Sequence, residues 1–420
     1  MPRESRVVKK RKKKTITPKK WFVWLVKPNI LAFLRKRYNI SVVNGEVVDQ
    51  LQPPFLMVGN HVNFWDPFFL HMSIQPTIQY ITSDNIFRTK VLGTVMRLLG
   101  SIPTSKFKTD IATVAQVLRI TKRRGVVGVF PEGRRTWDGR MLNHVPTVSK
   151  LIHRLKLPVV GVIIKGGYLA KPRWARYMRK GAVELEYKLV FTSEELASIS
   201  SDECRQLLEE RIYQDDMEWQ KERMIPFRGK DLAEYIESTI FACPKCKNLA
   251  SLHSKGDTAT CQNCGYSFRH NEFGFFEPVN GPLVFNSITD WNSWQLEYLQ
   301  EFLSDQHDRE KILLEEGPAV LLRGYRTRPL KKINTGHAYL SLKGIEFHTT
   351  IGKKFFFPIE EIVGENVQVG EKFEFYHKNS LYRLNFINPR ASSYLWYQAV
   401  FFLHQILRGG SGELDNQVNA

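Results

Sequence analysis

His61 and Asp66 stand with four residues between them in the stretch "GNHVNFWDPF", directly after the apolar run "FLMVGN". A histidine beside a carboxylate is a minimal unit for general-base catalysis. The carboxylate holds one ring nitrogen and fixes the tautomer, and the other nitrogen can take a proton from a hydroxyl. Five positions correspond to about 140° around an ideal helix, so a regular helix would not place the two on one face. A turn has to bring them together. Pro67 disfavours the helical conformation in the residue before it and suits a first helical position, which makes Asp66 a natural N-cap for a helix beginning "PFFLHMS". The plain alternative is a helix cap beside a loop histidine, with no chemistry.

A second stretch, "FPEGRRTWDG", begins at Phe130 after the apolar run "GVVGV". It should sit at the carboxyl end of a strand and place Glu132, Gly133, Arg134 and Arg135 on a tight turn. Gly133 allows close backbone approach, and an arginine there offers a planar fork of donors to a phosphate. A base beside a phosphate clamp points to a phosphorylated alcohol as acceptor. A surface turn with solvated arginines is the alternative.

Those residues carry a resemblance. A histidine, four residues and an aspartate, followed about seventy residues later by Phe-Pro-Glu-Gly-x-Arg, resembles the glycerolipid acyltransferase superfamily that includes the 1-acyl-sn-glycerol-3-phosphate acyltransferases. "GSIPTSK", ending at Lys106, resembles the second block of that family, and "LPVVGVIIKGGY" the fourth, so four blocks stand in order over roughly residues 21–195. The resemblance implies that His61 is the general base for an acceptor hydroxyl attacking an acyl thioester, oriented by Asp66, with no acyl-enzyme. It also implies that Glu132, Gly133 and Arg135 bind the acceptor phosphate with help from Lys106, a position usually held by arginine. Arg134 stands where the family often has threonine, and could add a phosphate contact or face solvent. Gly161 replaces a common proline. The implied donor is acyl-CoA or an acyl-carrier-protein, and the implied acceptor is lysophosphatidic acid, with other lysophospholipids or glycerol 3-phosphate as alternatives.

The elements that must position these groups follow from periodicity. From about Ser41 to Phe191, β-branched runs such as "TIQYITS", "LPVVGVII" and "AVELEYKLVF" alternate with helical stretches such as "RTKVLGTVMRLLG". That alternation predicts an α/β layered domain with a mostly parallel sheet, whose site lies in the loops after the strands. The domain is expected to occupy residues 21–235. Ahead of it, residues 1–20 form a basic arm with ten Lys or Arg against one acid. "WFVWLVKPNILAFLRKRY" then reads as two short amphipathic helices broken near Pro28, lying in a membrane interface or packing on the domain.

Two Cys-x-x-Cys pairs follow, Cys243 with Cys246 and Cys261 with Cys264, separated by fourteen residues. Four thiolates in this spacing can close a tetrahedral structural zinc, leaving no open position for catalysis, so residues 236–275 are expected to form a zinc ribbon. Residues 276–408 read as a helical link, seven short strands and a final amphipathic helix, a β-rich barrel-like unit that resembles a pleckstrin-homology-like domain in pattern only. Residues 409–420 read as a disordered tail.

The chain carries 61 Lys and Arg against 42 Asp and Glu, a net charge of +19. An excess of that sign attracts lipid headgroups or nucleic acid. No apolar run approaches the roughly 18 residues of a membrane span, and no secretory signal is evident. The expected setting is therefore cytoplasmic and peripheral on an anionic membrane surface. A zinc-ribbon nucleic-acid-binding protein would account for the charge and the cysteines, yet it leaves "HVNFWD" and "FPEGRR" without a purpose.

Overall fold

The structure, a computed structural model, describes residues 15–104, 111–368 and 372–408. The first sheet contains β1 (Asn39–Val43), β2 (Leu56–Gly59), β3 (Ile78–Ser83), β4 (Ile102–Thr104), β5 (Val126–Val129), β6 (Val159–Lys165) and β7 (Ala182–Phe191) in the order β1-β7-β6-β2-β5-β3-β4. From β6 to β4 every neighbouring pair is parallel, while β7 runs against β6 and carries β1 parallel to itself. The expected α/β domain with a mostly parallel sheet is present. Its central strands β2 and β5 are buried along their whole length, as a sheet covered by helices on both faces requires. Val117, Ile152 and Leu208 close one face from helices Ile111–Lys122, Pro146–Leu155 and Ser201–Ile212, with Cys204 a buried thiol in the same layer. Leu31, Tyr168 and Phe227 pack in the cluster on the other.

The break expected at Pro28 does not occur. One helix runs through Lys20–Arg37 with the proline inside it. The Asn29 side-chain amide donates to the Leu25 carbonyl at 2.6 Å, and Lys27 Nζ donates to the Ile74 carbonyl at 2.7 Å, so local and tertiary bonds hold the turn that a proline weakens. Leu31 and Leu34 are buried against the domain, while Trp21 and Trp24 stay 63% and 79% exposed. The second half of the segment thus packs on the domain, as one of the two readings expected.

Strands β8 (Leu252–Lys255), β9 (Thr258–Cys261), β10 (Ser267–His270) and β11 (Phe276–Pro278) form a small antiparallel sheet in the order β11-β10-β9-β8. Boundaries at residues 235 and 275 do not separate cores. Phe268, Phe276 and the fully buried Trp291 belong to the same apolar cluster as Leu169 and Trp174 of the first domain.

Beyond helix Ile288–Ser304 come β12 (Leu314–Gly324), β13 (Lys331–Ser341), β14 (Gly344–Thr349), β15 (Lys354–Pro358), β16 (Val363–Gln368), β17 (Lys372–His377) and β18 (Ser380–Phe386). They form one antiparallel sheet, ordered β15-β14-β13-β12-β18-β17-β16, and helix Ser393–Leu407 packs across β16 and β17. The count of seven strands agrees with expectation, but the runs "KILLEE" and "AVLLRGYR", expected as two strands, meet in one strand, β12, with a bulge between Glu316 and Ala319. Pro318 stands in that bulge and has no N–H to give the ladder. The seventh strand is β16, whose run "VGENVQ" lacks an apolar alternation.

This last unit docks hard on the first. Glu374 on β17 is 1% exposed and receives Arg88 at 2.7 Å as well as Arg383, while Arg390 reaches Glu234 and Glu237. Trp137 of the first domain stacks on Tyr394 of the final helix with centroids 4.1 Å apart.

Candidate active site

His61 follows the carboxyl end of β2. Its Nδ1 lies 2.6 Å from Asp66 Oδ2, and the same oxygen accepts the Val62 amide at 2.7 Å and the Asn63 amide at 2.9 Å. Asp66 is fully buried. It is not the expected N-cap: Trp65 holds that position, and Asp66 is the first helical residue of Asp66–Phe69. The amides it takes belong to the preceding loop, so the carboxylate winds "HVNF" back on itself and that winding carries the imidazole to it. Asn60 and Asn63 lock the loop to β6 and beyond, through bonds between Asn60 and Ile164 at 2.8 and 2.7 Å and from Asn63 to the Gly167 carbonyl at 2.9 Å. The His61 ring stacks on Phe130, with centroids 4.4 Å apart. With Nδ1 on the carboxylate, Nε2 is the nitrogen that carries the lone pair.

The turn from Phe130 leaves the neighbouring strand, β5. Gly133 takes φ +65°, the left-handed conformation that glycine adopts without steric cost. Glu132 lines the cleft, and both of its oxygens are also held by backbone amides. Its Oε1 accepts the His61 amide at 2.5 Å and its Oε2 the Leu142 amide at 2.8 Å, so the carboxylate braces one motif against the other. Burial pushes its carboxyl well above the usual range, the two amides oppose that, and the nearby Asp66 and Asp138 add to it.

The two arginines part company. Arg134 donates to the Tyr397 hydroxyl of the final helix and lies over that ring, its guanidinium carbon 4.9 Å from the centroid. It ties the turn to the final helix and also borders the cleft. Arg135 lines a cleft of about 630 Å³ together with His61 and Gly133. Burial lowers its pKa while the charge of Asp66 supports it. Lys106 lies outside the described residues.

The cleft is more than the matched motifs suggest. Apolar side chains including Leu92, Met96, Val114 and Leu151 line it, as do Val23 and Lys27 of the first helix and Phe64. Its far wall comes from the C-terminal sheet, through Asn366, Val367, Gln368 and Lys372. Arg173, after β6, also lines it. Sequence reasoning missed Arg173 and this wall, because neither belongs to a recognisable block and the wall is separated from His61 by some 300 residues.

The four cysteines converge. Their sulfurs all lie within 4.8 Å of one another, with Cys243 and Cys264 at 3.6 Å and Cys246 and Cys261 at 3.7 Å. No described helix is long and apolar enough to cross a membrane.

The chain is similar to known proteins over part of its length. Over 131 residues, 31% of this chain, it is 24% identical to the chloroplastic 1-acyl-sn-glycerol-3-phosphate acyltransferase BAT2 of Brassica napus, covering 38% of that protein. Against the chloroplastic 1-acyl-sn-glycerol-3-phosphate acyltransferase LPAT1 of Arabidopsis thaliana the identity is 26% over 131 residues, 36% of that protein. The chain thus spans well under half the length of these relatives. A crystal structure of the 1-acyl-sn-glycerophosphate (LPA) acyltransferase PlsC from Thermotoga maritima aligns with 47% of this chain and 81% of its own, at 19% identity and a TM-score of 0.38. The family model described as Acyltransferase matches residues 39–165, a span that contains His61, Asp66 and the whole turn from Phe130 to Arg135.

Proposed function

We propose that the protein transfers a fatty acyl group from a thioester, on CoA or a carrier protein, to the free hydroxyl of lysophosphatidic acid, giving phosphatidic acid. The observation that carries this reading is the 2.6 Å contact of His61 Nδ1 with the buried Asp66 in a cleft that also presents Arg135. His61 Nε2 takes the hydroxyl proton as the oxygen attacks the thioester carbonyl, the carbon–sulfur bond breaks, and the proton passes to the departing thiolate. Asp66 and Glu132 position the base, Arg135 holds the phosphate, and the apolar side chains of the cleft take the acyl chain. The exposed Trp21, Trp24 and Leu25 beside Lys20, together with the basic arm, support docking on an anionic membrane surface, with Val23 and Lys27 of the same helix at the cleft.

The cysteine cluster fits structural zinc. Bonds of about 2.3 Å in a tetrahedron place sulfurs about 3.8 Å apart, close to the separations found, and the four residues fill the coordination shell. We read the sheet β12–β18 with its helix as a pleckstrin-homology-like module, here acting as a brace and a wall of the cleft.

The test is phosphatidic acid formation from lysophosphatidic acid and a long-chain acyl thioester by the unaltered protein and His61→Ala. A fall in kcat of roughly 10²–10⁴ with an unchanged unfolding midpoint is expected. Undiminished turnover by the variant would remove His61 as the base.

A further inference from the structure

Arg173 lies beyond the span that matches the acyltransferase family, yet it lines the same cleft as His61 and Arg135. It leaves the loop after β6, the strand that flanks β2 on the side away from β5. The carboxyl ends of three adjacent strands therefore deliver His61, Arg135 and Arg173 to one place. The Arg173 guanidinium donates to the Arg135 carbonyl at 3.2 Å and to the Val367 carbonyl at 2.8 Å, and its carbon sits 3.7 Å from the centre of the Trp137 ring. Every one of these contacts orients the group, and none supplies a full negative charge. Among the described residues the Arg135 guanidinium makes no hydrogen bond and no ion pair.

Two neighbouring guanidinium groups in a cleft, without a carboxylate between them, are an unstable arrangement on their own. Burial depresses both pKa values, and for Arg173 the charges of Arg135 and Arg134 depress it further. Charge held in a protein interior without a partner is costly, so a fold that keeps such a pair does so where an anion will arrive. Of the nearby acids, Asp66 is held by His61 and two backbone amides, Glu132 by two backbone amides and Glu374 by Arg88 and Arg383, while Glu365, which also lines the cleft, lies 3.8 Å from His404 with its charge acting on Arg134. Lys372, opposite Gln368 in the β16–β17 ladder, also lines the cleft and keeps its field positive.

We propose that Arg173, held in place by the C-terminal sheet, is the second cation of the acceptor site, and that Arg135 and Arg173 together grip a phosphate monoester dianion. This rests on the acyl-acceptor reading given above and narrows it. A monoester presents three terminal oxygens and close to two negative charges to the two forks. A choline diester presents one charge and brings a cation into a positive cleft. The site therefore selects lysophosphatidic acid over zwitterionic lysolipids. The C-terminal sheet becomes part of substrate recognition, because the Val367 carbonyl anchors Arg173 and the ring beneath it, Trp137, rests on Tyr394.

The experiment is calorimetric titration of the full chain with a short-chain, water-soluble lysophosphatidic acid, the matching monoacylglycerol and the matching lysophosphatidylcholine, using the unaltered protein and Arg173→Gln. The unaltered protein should prefer lysophosphatidic acid, and the variant should lose roughly ten- to a hundredfold in affinity for it with little change for monoacylglycerol. A folded Arg173→Gln that binds lysophosphatidic acid as the unaltered protein does would show Arg173 to be only a bolt between domains and overturn the proposal. No preference over lysophosphatidylcholine in the unaltered protein would overturn it too. If Arg173→Gln does not fold, Arg173→Met, which keeps the stack on Trp137, carries the same two outcomes. Acyl transfer measured in parallel separates this from the broader reading: Arg173-dependent binding without turnover ends the acyltransferase assignment alone, and turnover with an unmoved acceptor KM in the variant ends this proposal alone.

Discussion

Asp66 shows how much one buried carboxylate can do. It organises its own loop through two backbone amides and fixes the tautomer of His61 through a third bond, so folding and chemistry meet in one side chain. Asp66→Asn offers one acceptor oxygen in place of two and turns an amide N–H₂ toward donors. The expected result is a loss of roughly 1–3 kcal/mol of stability together with a fall of about a hundredfold or more in kcat, read by urea unfolding and by acyl transfer. Intact kcat in a destabilised variant would make Asp66 a structural residue only. Glu132 illustrates a residue whose type was legible and whose task was not. Its place between Pro131 and Gly133 suggested ligand contact, and only the tertiary structure shows both oxygens turned onto backbone amides.

At the scale of elements, the two strand-to-loop turns were legible because an apolar run followed by Gly or Pro has few conformations to choose from. The helix at Lys20–Arg37 was not, because Pro28 argues locally for a break and the bonds that hold the turn, such as that of Lys27 to the Ile74 carbonyl, come from elsewhere. The cysteine unit sits between: its spacing predicted a zinc knuckle pair, but its shared core with the first domain has no sequence signature. One zinc per chain is expected by elemental analysis. Chelation should lower the unfolding temperature and loosen residues 236–275 in hydrogen exchange, leaving the bond between His61 and Asp66 in place. A metal-free protein with the same unfolding temperature would refute the ribbon.

Considered whole, the molecule buries titratable groups that its mechanism does not use, and these tie its stability to pH. His144 is 4% exposed and among the described residues finds no partner for either ring nitrogen, and burial, with help from the charge of Arg205, lowers its pKa to about 4. The unfolded chain binds that proton near the ordinary value of about 6.5, so the stability tied to a neutral His144 is complete above that pH and is lost as pH falls toward 4. Asp216, which burial pushes up to about 7, acts in the opposite sense across the same range, so the overall curve isolates neither. The difference curve does. The stability of the unaltered protein relative to His144→Gln should be flat above about pH 6.5 and fall by about 1.4 kcal/mol per pH unit below it, followed by urea midpoints. A difference independent of pH would mean that His144 takes up its proton as readily in the fold as in the unfolded chain.

The sequence by itself determined the parts whose cause is local. The alternation of strands and helices, the turns after β2 and β5, the pairing of His61 with Asp66 and the gathering of four cysteines all follow from residue types at short spacing. Tertiary structure decided where side chains of equal chemistry end up. Arg134 and Arg135 are adjacent and alike in sequence and both border the cleft, yet Arg134 is tied to Tyr397 of the final helix while the Arg135 guanidinium makes no hydrogen bond among the described residues. Arg173 gains its place from carbonyls at positions 135 and 367. Contacts of that separation depend on how whole layers pack, and no local pattern in a single chain encodes them.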